Sequence, residues 1–247
     1  MPCPGLFGDA VGARELIEGA LALAVELGHV PTMGPIYFHG IQIEMLRGDA
    51  DRALRFANTM VELGRDREMP ILLLLGTTCR GWARAQLGER EAGIAELLGG
   101  LTAYTEQGNK LYVPFLRGLL SELEGENQNQ AGALIQIEEA LTIANRTGEH
   151  WADSFLYRIH GETLLKGEPA NTAPAEEAFL AAIAIAKQQK AKSFELRAAL
   201  SLAKLYQSTG RPAEAQAVLV PAVDGFSPTP EFSEIAEAQT LLATLPS

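Results

Sequence analysis

The sequence predicts an all-α fold, an α-α superhelix of antiparallel helix pairs with about 12 helices, and three observations predict it. Small residues recur in one frame. Gly81, Gly88 and Gly93 put a small residue inside each of two helices with a breaker between them. Gly118 and Gly125 repeat that frame, as do Ala203, Gly210 and Ala215, and Gly48 with Ala53 repeats its second half. The turn glycines at 48, 88, 125, 167 and 210 are about 40 residues apart, a helical-repeat period. Finally, no segment shows sustained period-two alternation between hairpin turns, so strands are not expected.

The elements follow in order. Residues 1–10, with two prolines and two glycines, read as a poorly ordered or truncated start. Over 11–27, Leu16, Ala20, Leu23, Ala24 and Leu27 recur at helical spacing and Gly28 stops the helix. Its ELGH ending matches a second helix of the unit, so the chain is expected to begin in mid-repeat. Hairpins are then predicted from 31–47 with 51–63, 68–87 with 91–107, 111–124 with 130–147, 151–166 with 175–189, and 193–208 with 212–223. Asn171 or Thr172 is a candidate cap for the helix at 175. The repeats thus occupy 11–225, and 226–247 holds a loop and a capping helix over 232–245.

Glycine inside a helix costs about 1 kcal/mol against alanine. Gly81, Gly93, Gly100 and Gly118 are therefore expected at crossings where two backbones approach closely.

Composition narrows the function. A net charge of −11, spread along the chain without a basic stripe, opposes nucleic-acid and anionic-membrane partners. The longest apolar run, PILLLL at 70–75, is too short to span a membrane. Two cysteines, Cys3 and Cys79, make no disulfide framework, and the start lacks a signal-peptide pattern, so a cytoplasmic location is expected.

The spacing of small, turn and small residues resembles that of the tetratricopeptide repeat, with a longer period than its 34 residues and without its final proline in most units. The strings GWARAQLGEREAGIAELLGGL (81–101), LIQIEEALTIANRTGEHW (134–151), LYRIHGETLL (156–165), AKSFELRAALSLAKLYQSTGRPAEAQAVLVPAV (191–223) and EIAEAQTLLATL (234–245) are similar to a narrower group. They resemble the C-terminal repeat region of bacterial signalling ATPases linked to adenylate or guanylate cyclase domains or to winged-helix domains. GFSPTPEF at 225–232 departs from the longer acidic loop usual there. The resemblance implies a sensor or docking arm, with catalysis in other domains.

The residues themselves carry little catalytic signal. No GxxxxGK[ST] loop is present, and His29, His39, His150 and His160 lack ligand spacing, so no cofactor or metal is expected. Cys79 has no readable base and no serine lies in a GxSxG setting, so no catalytic residue is expected either. A partner groove is the expected functional surface, lined by the first helix of each unit. That register selects Phe38, Gln42, Thr78, Trp82, Tyr112, Phe115, Glu122, Tyr157, Arg197 and Lys204. The aromatics would either anchor a peptide or pack between hairpins, and Arg197 and Lys204 would read an acidic group. The expected function is a noncatalytic protein-interaction or sensor module of a signalling protein; the alternative is a free-standing peptide-binding regulatory receptor.

Overall fold

The computed structural model describes residues 9–224, 226 and 233–245. Most of the start read as poorly ordered lies outside them, as does nearly all of the loop before the last helix. Among the described residues there are twelve helices and no strand. They are α1 (Ala10–Glu26), α2 (Val30–Arg47), α3 (Ala50–Asp66), α4 (Pro70–Gln86), α5 (Arg90–Glu106), α6 (Val113–Glu126), α7 (Gln130–Thr147), α8 (Asp153–Gly167), α9 (Ala173–Gln189), α10 (Lys192–Ser208), α11 (Pro212–Val223) and α12 (Ser233–Thr244). Each packs on its neighbours in sequence, giving an α-α superhelix of antiparallel pairs. No described helix is long and apolar enough to cross a membrane.

A local device repeats at most of the turns. Besides Tyr112, left-handed backbone falls on Gly28, Gly48, Glu68, Gly88, Gly108, Gln128, Gly148, Lys190 and Gly210 among the described residues, a step of 20 residues broken only between 148 and 190. The residue after the left-handed one commonly donates its N–H five residues back, as from Asp49 to Glu44 (3.0 Å), Met69 to Gly64 (2.8 Å) and Arg211 to Tyr206 (2.8 Å). This is the Schellman closure, which satisfies the last free carbonyls of one helix. Except after Gly108 and Gly148, that same residue is the N-cap of the next helix, and Asp49 and Asn129 use their side chains to accept from Arg52 and Gly132 amides. So a helix of 17 or 18 residues with a minimal link repeats with little slack.

Two of the expected turn glycines are corrected. Gly125 lies buried inside α6, and the left-handed residue three positions on is Gln128. Gly167 ends α8, and its C-cap Glu168 is at φ −132. Residue count along the helix decides where the turn falls, and a polar side chain accepts left-handed backbone at a cost of about 1 kcal/mol. Gln128→Gly is therefore expected to stabilise the chain by roughly 0.5 kcal/mol after glycine's own entropy loss is subtracted, read as a higher urea midpoint. A lower midpoint would contradict the strain argument. Thr172 stands at the N-cap of α9, but its side chain makes no capping bond.

The packing glycines stand where the sequence puts them. A Cβ on Gly81 would lie 2.6 Å from the Gly93 carbonyl oxygen and closer still to the Leu97 amide nitrogen, so α4 and α5 touch backbone to backbone. Gly118 serves a different contact: its Cβ would meet Leu156 and Phe155 side chains of α8, both at 2.7 Å. α1 keeps the register of a second helix. Its N-cap Asp9 stands 40 residues before Asp49, while Leu16, Leu23 and Leu27 remain 64%, 56% and 69% exposed.

Candidate functional site

The first helices of the units, α2, α4, α6, α8 and α10, turn toward one another on the concave side. A run of aromatic rings connects α2, α6, α8 and α10. Phe38 of α2 meets Tyr112 (centroids 4.4 Å apart), Tyr112 meets Trp151 (6.2 Å), and Trp151 meets Phe115 of α6 (5.1 Å). Phe115 meets Phe155 of α8 (5.3 Å), which stacks on Phe194 of α10 (6.1 Å). Ring pairs at such separations add about 0.5–1.5 kcal/mol beyond their burial. Tyr112 reaches Phe38 because it stands at the N-cap of α6 with φ 67. The Glu149 carboxylate holds it there, accepting the Tyr112 N–H (2.9 Å) and the Trp151 indole N–H (2.9 Å). Burial raises the Glu149 carboxyl above the usual carboxylate range, and those two bonds pull it part of the way back.

Inside this arc lies a chamber of about 40 Å3, walled by Trp82, Phe115, Trp151, Phe155 and Phe194 with Met45, Leu46 and Leu119. Gln42, Glu122 and Arg197 are its polar members. A bowl of about 670 Å3 opens above it, bounded by the ends of α2, α4 and α6 and the starts of α3 and α12. Met45, Trp82, Glu122 and Arg197 line both spaces and so form the neck between them. The buried indole N–H of Trp82 has no hydrogen-bond partner among the described residues.

Charge at the neck is tightly organised. Arg158 of α8, 9% exposed in its side chain, bonds Glu122 of α6 and Glu162 one turn on, both at 2.8 Å. Ser201 of α10 donates to the same Glu162 (2.7 Å). Burial alone would raise the Glu162 carboxyl; the Arg158 charge and the Ser201 hydroxyl overcome it and hold the group below its ordinary value. Arg197 donates to the Leu46 carbonyl of α2 (2.7 Å) and pairs with Glu234 of α12 (2.7 Å). The superhelix is thereby tied from α10 back to α2.

Of the ten residues selected from sequence, Gln42, Trp82, Phe115, Glu122 and Arg197 line the chamber. Phe38 and Tyr112 join through the ring contacts, with Phe38 buried. Thr78 is not brought to this surface; it is fully buried, donating to the Leu74 carbonyl (2.8 Å) beside Gly100. Tyr157 is half-buried against the core, outside the chamber. Arg197 and Lys204 already hold acids, Glu234 and Glu237 of α12, each at 2.7 to 2.8 Å. An acidic ligand would have to displace these. The sequence reading missed Trp151, Phe155, Phe194 and Arg158, although Phe115 and Phe155 stand 40 residues apart in the repeat and Arg158 follows Phe155 on the same helix face. No protein-family model matches the chain, and no curated protein matches it.

Proposed function

We propose that this chain is a noncatalytic binding module of the tetratricopeptide-like kind. In this reading it takes a peptide segment of a partner protein into the concave bowl, and it regulates a bacterial signalling protein of the cyclase- or winged-helix-linked ATPase class in the cytoplasm. The observation that supports it is the joining of an open polar bowl to an apolar chamber through the four-residue neck. Concave sites of this kind, mostly apolar with a few polar groups at the entrance, are where proteins take ligands. Arg197 of the neck also carries the tie between α10 and α2. A segment entering the neck competes with that tie, so occupied and empty states differ in curvature, and binding shifts the population between them.

Selection of a displayed random-peptide library against the folded chain, followed by anisotropy titration of the enriched sequences, tests this reading. Enriched peptides are expected to bind and to compete with one another for one site. Recovery no better than from a mock selection would defeat it.

A further inference from the structure

The chamber and its rim differ in chemistry, and together they restrict what enters. The chamber's walls are apolar, and its 40 Å3 is far below the roughly 150 Å3 of a cavity that accepts a benzene ring. It has room for the end of one aliphatic side chain. At the neck a ligand meets the Arg197 guanidinium, which already donates to the Leu46 carbonyl and pairs with Glu234, and the Glu122 carboxylate, which already accepts from Arg158. A peptide backbone presents both a carbonyl and an N–H to such a set. The bowl above is lined by five carboxylates, Asp49, Asp51, Glu122, Glu126 and Glu234, and by the guanidinium groups of Arg47 and Arg197. Arg14, Arg158, Arg90 and Arg197 pair with Asp49, Glu122, Glu126 and Glu234, which leaves Asp51 as the rim acid with no ion pair among the described residues. Asp51 is exposed on the first turn of α3, and Glu126 pairs only at the surface, with Arg90.

We infer that the bowl takes a basic peptide which anchors a single aliphatic side chain in the chamber, its flanking cationic residues meeting the carboxylates of the rim. This rests on the reading of the bowl as a peptide site. The neck holds the peptide backbone, the chamber selects size, and the rim selects charge. Charge complementarity of this kind governs association and rejection of wrong partners more than it adds affinity.

The chain reports its own occupancy. Its two tryptophans, Trp82 and Trp151, both line the chamber, so intrinsic fluorescence reads the site directly. Four short capped peptides serve as probes: leucine between arginines, serine between arginines, leucine between aspartates, and tryptophan between arginines. The leucine–arginine peptide is expected to shift the emission and, with anchor and charge each contributing about 1.4 kcal/mol, to bind about tenfold tighter than the serine or the aspartate form. A competition format with labelled leucine–arginine peptide measures the tryptophan form, which is expected to bind more weakly. Asp51→Asn combined with Glu126→Gln, both at the exposed rim, is expected to weaken the arginine peptide about fivefold and flatten its salt dependence with helicity unchanged.

Equal affinity of the serine or aspartate form, or binding without any change in emission, would overturn this inference. If library-selected peptides bind yet carry neither an aliphatic anchor nor basic flanks, the inference fails while the binding-module reading stands. If no peptide binds in either experiment, both fall.

Discussion

Gly81→Leu is expected to destabilise the chain by about 3 kcal/mol, at the upper end of overpacking effects. The reason is the identity of what a side chain meets there. At Gly118 the obstruction is side-chain carbon, which can turn aside; at Gly81 it is the Leu97 amide and the Gly93 carbonyl of α5. Backbone cannot rotate away without moving the helix, and a Cβ on Gly93 would in turn lie 2.5 Å from the Ala85 nitrogen. Gly99→Ala in the same α5 is the matched contrast: nothing lies within 4 Å of its Cβ, so it is expected to gain up to about 1 kcal/mol from helix propensity alone. In a repeat array the loss need not spread to the whole chain. Hydrogen exchange should therefore show α4 and α5 opening first, with the urea midpoint falling. Equal midpoints for Gly81→Leu and the native chain would sink the backbone-contact assignment.

Arg158→Met is expected to cost about 3 kcal/mol at neutral pH, because it removes the cation between two carboxylates and leaves Glu122 and Glu162 facing each other across the α6–α8 contact. Those carboxylates stay 24% and 29% exposed, which keeps the loss near the low end for a broken buried pair. The pH dependence gives the sign. In the native chain Glu162 sits below its ordinary value, so its contribution is present above the unfolded carboxylate range and is lost as pH falls through the depressed value. In the variant burial acts without the cation and raises that carboxyl, so acid relieves the strain as the group protonates. The difference in stability between the two proteins should accordingly shrink as pH falls toward the carboxylate range. Arg158→Met with Glu162→Gln and Glu122→Gln is expected to recover part of the loss at neutral pH. A difference that stays constant with pH, and no recovery in the triple variant, would show that Arg158 acts through packing alone.

Much of the architecture was legible before any coordinates, and the misses are specific. Gly28, Gly48, Gly88, Gly108 and Gly210 mark their turns because glycine adopts left-handed backbone freely. Glu68, Gln128 and Lys190 do the same structural task without that signature, so the frame drifted to Gly125 and Gly167 where composition hid the period. At the concave face, Trp82, Phe115, Glu122 and Arg197 were selected by projecting a helix register, and they converge. Lys204 obeys the same register yet answers to Glu237 of α12, since a helix register says which face a residue occupies and not what comes to cover it.

The sequence by itself determined the helices, their 20-residue pitch, their pairing into hairpins and the glycine crossing at Gly81 and Gly93. These depend on helix length, capping and backbone freedom, all of which act over a few neighbouring residues. The tertiary structure decided the curvature that encloses the chamber and lets Arg197 reach a carbonyl 151 residues away. Curvature is the sum of small rotations at successive hairpin interfaces, each set by the side chains that fill it, so contacts across the arc follow from every interface together.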